Sequence, residues 1–265
     1  MVARLVLQTT ELLPWGRLPK DKDQRILHIY FDLTRRLLKI DQQIGRLMKG
    51  MQDADKELTE HHAAGRHLHL PQIVGIEGEV ETFLYDAKNF LRTLLQVFDV
   101  FFDQHFEEAS AFWHPKGDGQ SELVKWAART FGLDDTFTQM LVTEQLWVGD
   151  VIQYRNAIEH AGGRSGTLYI ENVTFHPSGK MVLPVWWLNV GVGVNMLSDL
   201  DVTLCNLCTL AEDILVECIR HQPDFPQYVA FYEIPVDQRD LTCPKRIAAT
   251  INHSKMNPPR ASSLA

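Results

Sequence analysis

The sequence predicts a mainly α fold, a helical bundle carrying one inserted β-hairpin. Two observations lead there. Several long stretches place apolar residues every three or four positions, the spacing of helices that bury one face. Between residues 166 and 190 the pattern switches to β-branched and aromatic residues, with PSGK in the middle, as in a hairpin with its turn there.

Residues 1–20 read as an irregular arm. Residues 21–50 carry the stripe Ile26, Leu27, Tyr30, Leu33, Leu37, Ile40, Ile44 and Leu47, with Asp21 and Asp23 at the start, where the helix dipole favours them. Residues 51–72 turn polar and hold HHAAGRHLHLP, which reads as a loop ended by Pro71. The broadest stripe runs over 76–106, from Ile76 through Phe83, Leu91 and Phe98 to Phe101, wide enough to pack against two neighbours. After the loop HPKGDGQ, Ser121 is expected to cap a shorter helix ending near Gly132. A further long helix spans about 135–161. In the 166–190 hairpin, Pro184 marks an edge position. Ser198 is expected to cap a last helix with Asp199 and Asp201 in its first turn. The organisation is an arm and helix over 1–75, either part of the bundle or separate from it. A core domain over 76–221 and a C-terminal extension over 222–265, expected to be partly mobile toward its NPPRASSLA end, complete it.

Composition bounds the function. The 265 residues suit one sizeable domain, and the net charge of −8 argues against sequence-independent binding to DNA or anionic membrane. A local anion site remains compatible with it. Cys205, Cys208, Cys218 and Cys243 all lie late in the chain, and three share one expected helix, a poor disulfide framework that suggests a reducing compartment. The N-terminal stretch reads as no signal peptide, and no run of about 18 apolar residues appears. The expectation is a cytoplasmic protein without a membrane span.

The stretch YRNAIEHAGG, residues 154–163, carries the chemistry. At about 100° per residue, with Arg155 at 0°, Val148 falls near +20°, Val151 near −40° and Ile158 near −60°. Arg155 thus sits inside an apolar face. A guanidinium keeps its proton, so burial must be compensated by a carboxylate, carbonyls, water or a ligand anion. Asp86 and Glu79 are the natural internal carboxylates. Asn156 and His160 are four residues apart on a shared ridge, and Gly162 and Gly163 follow as the helix stop. Each residue has a plain structural role available: an ion pair for Arg155, a hydrogen bond to a neighbouring helix for Asn156, a helix C-terminus for His160. Together they suit a phosphodiester. Arg155 would hold its oxygens, Asn156 orient it and His160 move a proton near neutral pH. RNA brings its own 2′-hydroxyl nucleophile, so no metal or cofactor is required. Such a reaction uses both a base and an acid, and a homodimer would supply the second histidine.

At Arg155, Asn156 and His160 the chain resembles the HEPN superfamily, helical bundles marked by an arginine, a polar residue and then a histidine; here four residues separate Arg155 from His160. The likeness extends over about 76–221, with a long earlier helix at 76–106 and a short β segment and closing helix after the motif. It implies dimerisation through the motif face and, in active members, metal-independent RNA cleavage, often in toxin–antitoxin or other defence systems with a cognate antitoxin or partner protein. Other members are non-catalytic modules, so a dimeric module binding a nucleotide, RNA or a partner protein is the alternative. Arg164, Arg129 and Lys125 are the nearby cations expected to meet RNA.

Other signals are weaker. His61, His62, His67 and His69 cluster without cysteines and match no metal-ligand spacing; a metal-dependent hydrolase built on them is the third reading. Cys205 and Cys208 form a C-x-x-C pair inside an apolar helix, which reads as core. GVGVN at 191–195 lacks the third glycine of a nucleotide fingerprint, and PSGK lacks a P-loop's spacing. Trp186 and Trp187 must face opposite sides of a strand, one into the core and one toward a surface.

Overall fold

The computed structural model describes residues 4–64, 70–113, 119–175, 181–240, 242 and 245–252. It is mainly helical, with small antiparallel sheets. The helices are α1 (Arg4–Leu12), α2 (Lys20–Ala63), α3 (Ile76–Leu94), α4 (Gln96–Phe102), α5 (Glu122–Phe131), α6 (Thr136–Glu159) and α7 (Met196–Arg220). The chain forms two compact units. One takes residues up to Thr34, Thr93–Phe106 and the chain from Cys208 on; the other takes Arg35–Arg92 and Glu107–Leu207.

In the first unit, the expected arm is the helix α1, continued by a short 3-10 turn. Its residues Leu5 and Leu12 are fully buried, an amphipathic spacing too short to stand out in sequence. Part of the C-terminal extension likewise forms structure: β6 (Val229–Glu233) pairs antiparallel with β7 (Ile247–Ile251), while the NPPRASSLA end lies outside the described residues. Gln8 of α1 ties the two segments, its Oε1 accepting the backbone N–H groups of Arg246 (3.0 Å) and Ile247 (2.8 Å). Glu212 of α7 is fully buried between Arg4 (2.9 Å) and Arg246 (2.8 Å). Tyr30 donates to the Ala211 carbonyl at 2.8 Å from a fully buried position.

The second unit is built on the rest of α2, most of α3, and α5 and α6. α2 runs past the expected boundary near residue 50 to Ala63, because Ala54 and Leu58 continue the buried stripe and no proline or glycine interrupts 51–63. The stretch expected as one helix over 76–106 is two: α3 ends at Leu94, α4 begins at Gln96, and Asp103 ends α4 in the left-handed region (φ 52°). Ser121 caps α5 as expected, its Oγ accepting from Val124 N at 3.2 Å. On α6, Gly149 lies so close to the Trp113 ring that a Cβ would stand 2.4 Å from it.

The expected hairpin forms, with an interruption. β1 (Leu168–Glu171) pairs with β4 (Val185–Leu188), and β2 (Thr174–Phe175) with β3 (Met181–Val182), in one continuous register from Leu168↔Leu188 to Phe175↔Met181. The break falls at Pro184, which has no amide to donate. The PSGK turn lies outside the described residues. A third strand, β5 (Val194–Asn195), joins β4. Trp186 is buried and donates to Asp199 at 2.9 Å, while Trp187 stacks on Tyr169 (5.5 Å, 13°) across the β1–β4 pair. Helix α7 starts at Met196, and the side chain of Asn195, rather than Ser198, accepts the first-turn N–H of Ser198 (3.0 Å).

Candidate functional site

Helix α6 opens at Asp135, whose side chain accepts from Phe137 N at 2.9 Å. It keeps Val148, Val151 and Ile152 buried, and Arg155 follows on the same face at 9% exposure. The expected arginine in the core face is therefore present, and its compensation is incomplete. Arg155 Nη1 is buried and makes no hydrogen bond. Its carboxylate neighbour is Glu159 Oε2, 3.6 Å away on the next turn. The guanidinium carbon also lies 5.6 Å from the centre of the Tyr85 ring, a cation–π contact. The two carboxylates expected as internal partners are engaged elsewhere. Asp86 accepts from Gln43 at 2.9 Å, and Glu79 takes both arms of Arg46 at 2.8 Å.

Arg155 lines a cavity of about 270 Å³ together with Tyr85, Lys88 and Arg92 of α3, Glu159 and Glu108. Residues 85, 88 and 92 recur at three and four positions, so one flank of α3 faces this cavity. Lys88 Nζ donates to Asn156 Oδ1 at 2.9 Å and stands 3.9 Å from Glu159 Oε2. Arg92 donates to the Glu107 carbonyl and pairs with Glu108, both at 3.2 Å. Among the described lining residues, three cations thus meet two carboxylates, leaving one net positive charge.

Of the three motif residues, Arg155 lines this cavity, and Asn156 does not line it but accepts from Lys88, which does. His160 is placed differently. It is exposed, it closes α6 with its N–H donating to Asn156 O at 2.9 Å, and it does not line the cavity. Gly162 follows at φ 76°, the left-handed stop expected there. The cations expected nearby are not the ones present. Lys125 and Arg129 line a separate depression with Leu133, and Arg164 is exposed outside the cavity. The basic residues at the site are Lys88 and Arg92. Neither was singled out by the sequence, because nothing in the spacing of α3 says that this flank meets α6.

The remaining signals resolve locally. His61 and His62 stand on α2, while His67 and His69 lie outside the described residues. Cys208 and Cys218 are buried on α7 and Cys205 is half-buried, all three without disulfides; Cys243 lies outside the described residues. A smaller cavity, about 100 Å³, is lined by Trp147, Tyr154, Trp186, Asp150 and Asp199. Burial and the neighbouring Asp199 raise the Asp150 carboxyl above its ordinary range. No helix among the described residues is long and apolar enough to cross a membrane.

Comparisons with protein families, with curated proteins and with solved structures found no match to this chain.

Proposed function

We propose that this chain is a HEPN-like helical bundle that binds an RNA phosphodiester in the Arg155 cavity and, as a homodimer, cleaves the RNA without a metal. The observation that supports it is the guanidinium of Arg155. It is nine-tenths buried, carries an N–H with no acceptor, and lines a cavity that also holds Lys88 and Arg92. A fixed planar cation in such a place suits a phosphate's non-bridging oxygens better than a mobile surface lysine does. Asn156, held by Lys88, keeps that lysine directed toward the site.

In this reading His160 transfers the proton. An exposed imidazole at a helix end is free to meet a 2′-hydroxyl or a leaving 5′-oxygen. Its position outside the Arg155 cavity makes a second motif copy necessary, which dimerisation through the motif face provides. The chemistry balances within the substrate. The 2′-oxygen attacks phosphorus, its proton passes to a base, the bond to the 5′-oxygen breaks, and that oxygen takes a proton from an acid. A 2′,3′-cyclic phosphate and a 5′-hydroxyl result. An acidic chain that handles RNA through one local site suits narrow substrate choice or delivery by a partner, as in a cytoplasmic toxin–antitoxin or other defence system.

A second reading has its own support. Asn156 is already occupied by Lys88, and no histidine among the described residues lines the cavity. On that reading the chain is a non-catalytic dimeric module that binds a nucleotide, RNA or a partner protein.

The test is RNA cleavage in excess EDTA, comparing wild type with His160→Ala on mixed RNA substrates. Cleavage that resists the chelator, leaves cyclic phosphate ends and is lost in the variant supports the nuclease. RNA binding without cleavage leaves the module. Absence of both removes the RNA reading.

A further inference from the structure

We infer that Glu159 is the specificity-determining residue of the Arg155 cavity: its carboxylate competes with a bound anion for Arg155 and Lys88 and limits the site to a singly charged phosphodiester. The inference rests on the phosphate-binding reading above and adds to it the selectivity of the site.

The geometry is that of a loose occupant. One carboxylate oxygen, Glu159 Oε2, is shared between Arg155 Nη1 (3.6 Å) and Lys88 Nζ (3.9 Å). Neither distance is a hydrogen bond. Arg155 Nη1 remains without an acceptor, although five guanidinium donors could serve a tighter partner. A phosphate, with oxygens placed to meet the guanidinium fork in two parallel bonds, would satisfy what Glu159 leaves unmet.

The two residues also differ in what holds them. The Arg155 side chain is 11% exposed, whereas that of Glu159 is 42% exposed. Arg155 lies one turn before the end of α6, flanked by the buried Ile152 and Ala157. Glu159 is the last residue of α6, so its carboxylate can turn to water at small desolvation cost while the guanidinium stays in place.

Charge fixes the selectivity. Among the described residues that line the cavity, Lys88, Arg92 and Arg155 against Glu108 and Glu159 give three minus two, or one net positive charge. A phosphodiester carries one negative charge and neutralises it. A terminal or inorganic phosphate carries nearly two near pH 8, and its second charge meets the Glu159 carboxylate, which is tethered one turn from Arg155. Removing that carboxylate raises the site's charge by one. It should tighten binding of both anions, and of the dianion more.

The experiment measures binding rather than turnover. A fluorescent 2′-O-methyl RNA oligonucleotide with a 5′-hydroxyl, which cannot supply the attacking hydroxyl, is titrated against wild type, Glu159→Gln, Arg155→Lys and the double variant at low salt. Inorganic phosphate at pH 8 serves as competitor, and circular-dichroism melts confirm that each variant is folded. Glu159→Gln should tighten the oligonucleotide roughly fivefold, the scale of one partly exposed charge pair, and should make inorganic phosphate a more effective competitor. In the Arg155→Lys background, which lacks the guanidinium fork, the gain should shrink. An unchanged or weaker Glu159→Gln, or a gain equal in both backgrounds, overturns the inference. Wild-type binding that Arg155→Lys weakens while Glu159→Gln leaves it unchanged sinks the inference alone and keeps the phosphate site. Binding by none of the proteins removes both.

Discussion

Arg155 Nη1 and Glu159 Oε2 stand 3.6 Å apart on successive turns of α6, one side chain nearly buried and the other half in water. The pair is therefore asymmetric. If the arginine is removed, no charge is stranded in the core, because Glu159 already reaches solvent.

That asymmetry separates stability from function at Arg155. A methionine of similar length removes a buried N–H that has no acceptor and restores an apolar face. Arg155→Met should leave folding stability unchanged or raise it by up to about 1 kcal/mol, while binding of 2′-O-methyl RNA is lost. Urea unfolding and anisotropy titrations on the same preparations check this. A loss of more than about 2 kcal/mol would make the arginine a structural residue.

His160 should behave in the opposite sense. It is exposed, so His160→Ala should shift stability by no more than about 0.5 kcal/mol. If it transfers the proton, the metal-independent cleavage rate should fall by at least about 100-fold. Single-turnover rates in EDTA, with melting curves alongside, decide between the two roles. Unaltered cleavage would place proton transfer elsewhere.

Gln8 joins α1 to the segment that enters β7. Its Oε1 accepts two backbone N–H groups of the segment entering β7. Gln8→Ala leaves both donors without that acceptor at a position 1% exposed and should cost about 2 kcal/mol. The loss should appear in urea midpoints, with hydrogen exchange at the Ile247 amide rising first. An Ile247 amide as protected as in the wild type would contradict the contact.

Alkaline pH should destabilise the first unit. Burial, aided by the charge of Glu212, pushes the Cys208 thiol up to about 11 from an ordinary value near 9. The unfolded thiol loses its proton near pH 9 and the folded one holds it to about 11. In that window the folded state binds more protons, so stability falls as pH rises, by about 2–3 kcal/mol across it. Burial raises Cys218 and Tyr30 in the same direction. Urea midpoints between pH 8 and 11 test the sign; a flat profile would contradict it. Cys208→Ser should reduce the slope.

Periodicity read the long helices because their buried stripes are local and long. It erred where the deciding contact is distant or the element short. α1 is nine residues, and its burial depends on α7 and β7 segments more than 200 residues away. β6 and β7 are five residues each, separated by a polar stretch, and each supplies a single buried side chain, Val229 and Ile247. The end of α2 looked like a loop because charge outnumbers apolar residues there, although Ala54 and Leu58 suffice to continue the stripe.

The site divides along the same line. Helical spacing alone determined that Arg155 sits in an apolar face and that its charge requires an answer, because the angular position of a side chain on a helix follows from residue number. Which groups answer is a property of neighbouring elements. Only the tertiary structure put Tyr85, Lys88 and Arg92 of α3 beside that guanidinium, gave Asp86 and Glu79 to other partners, and turned His160 out to solvent. Local periodicity orients one helix about its own axis; the pairing of two helix faces is set by packing between residues distant in sequence, which no local pattern records.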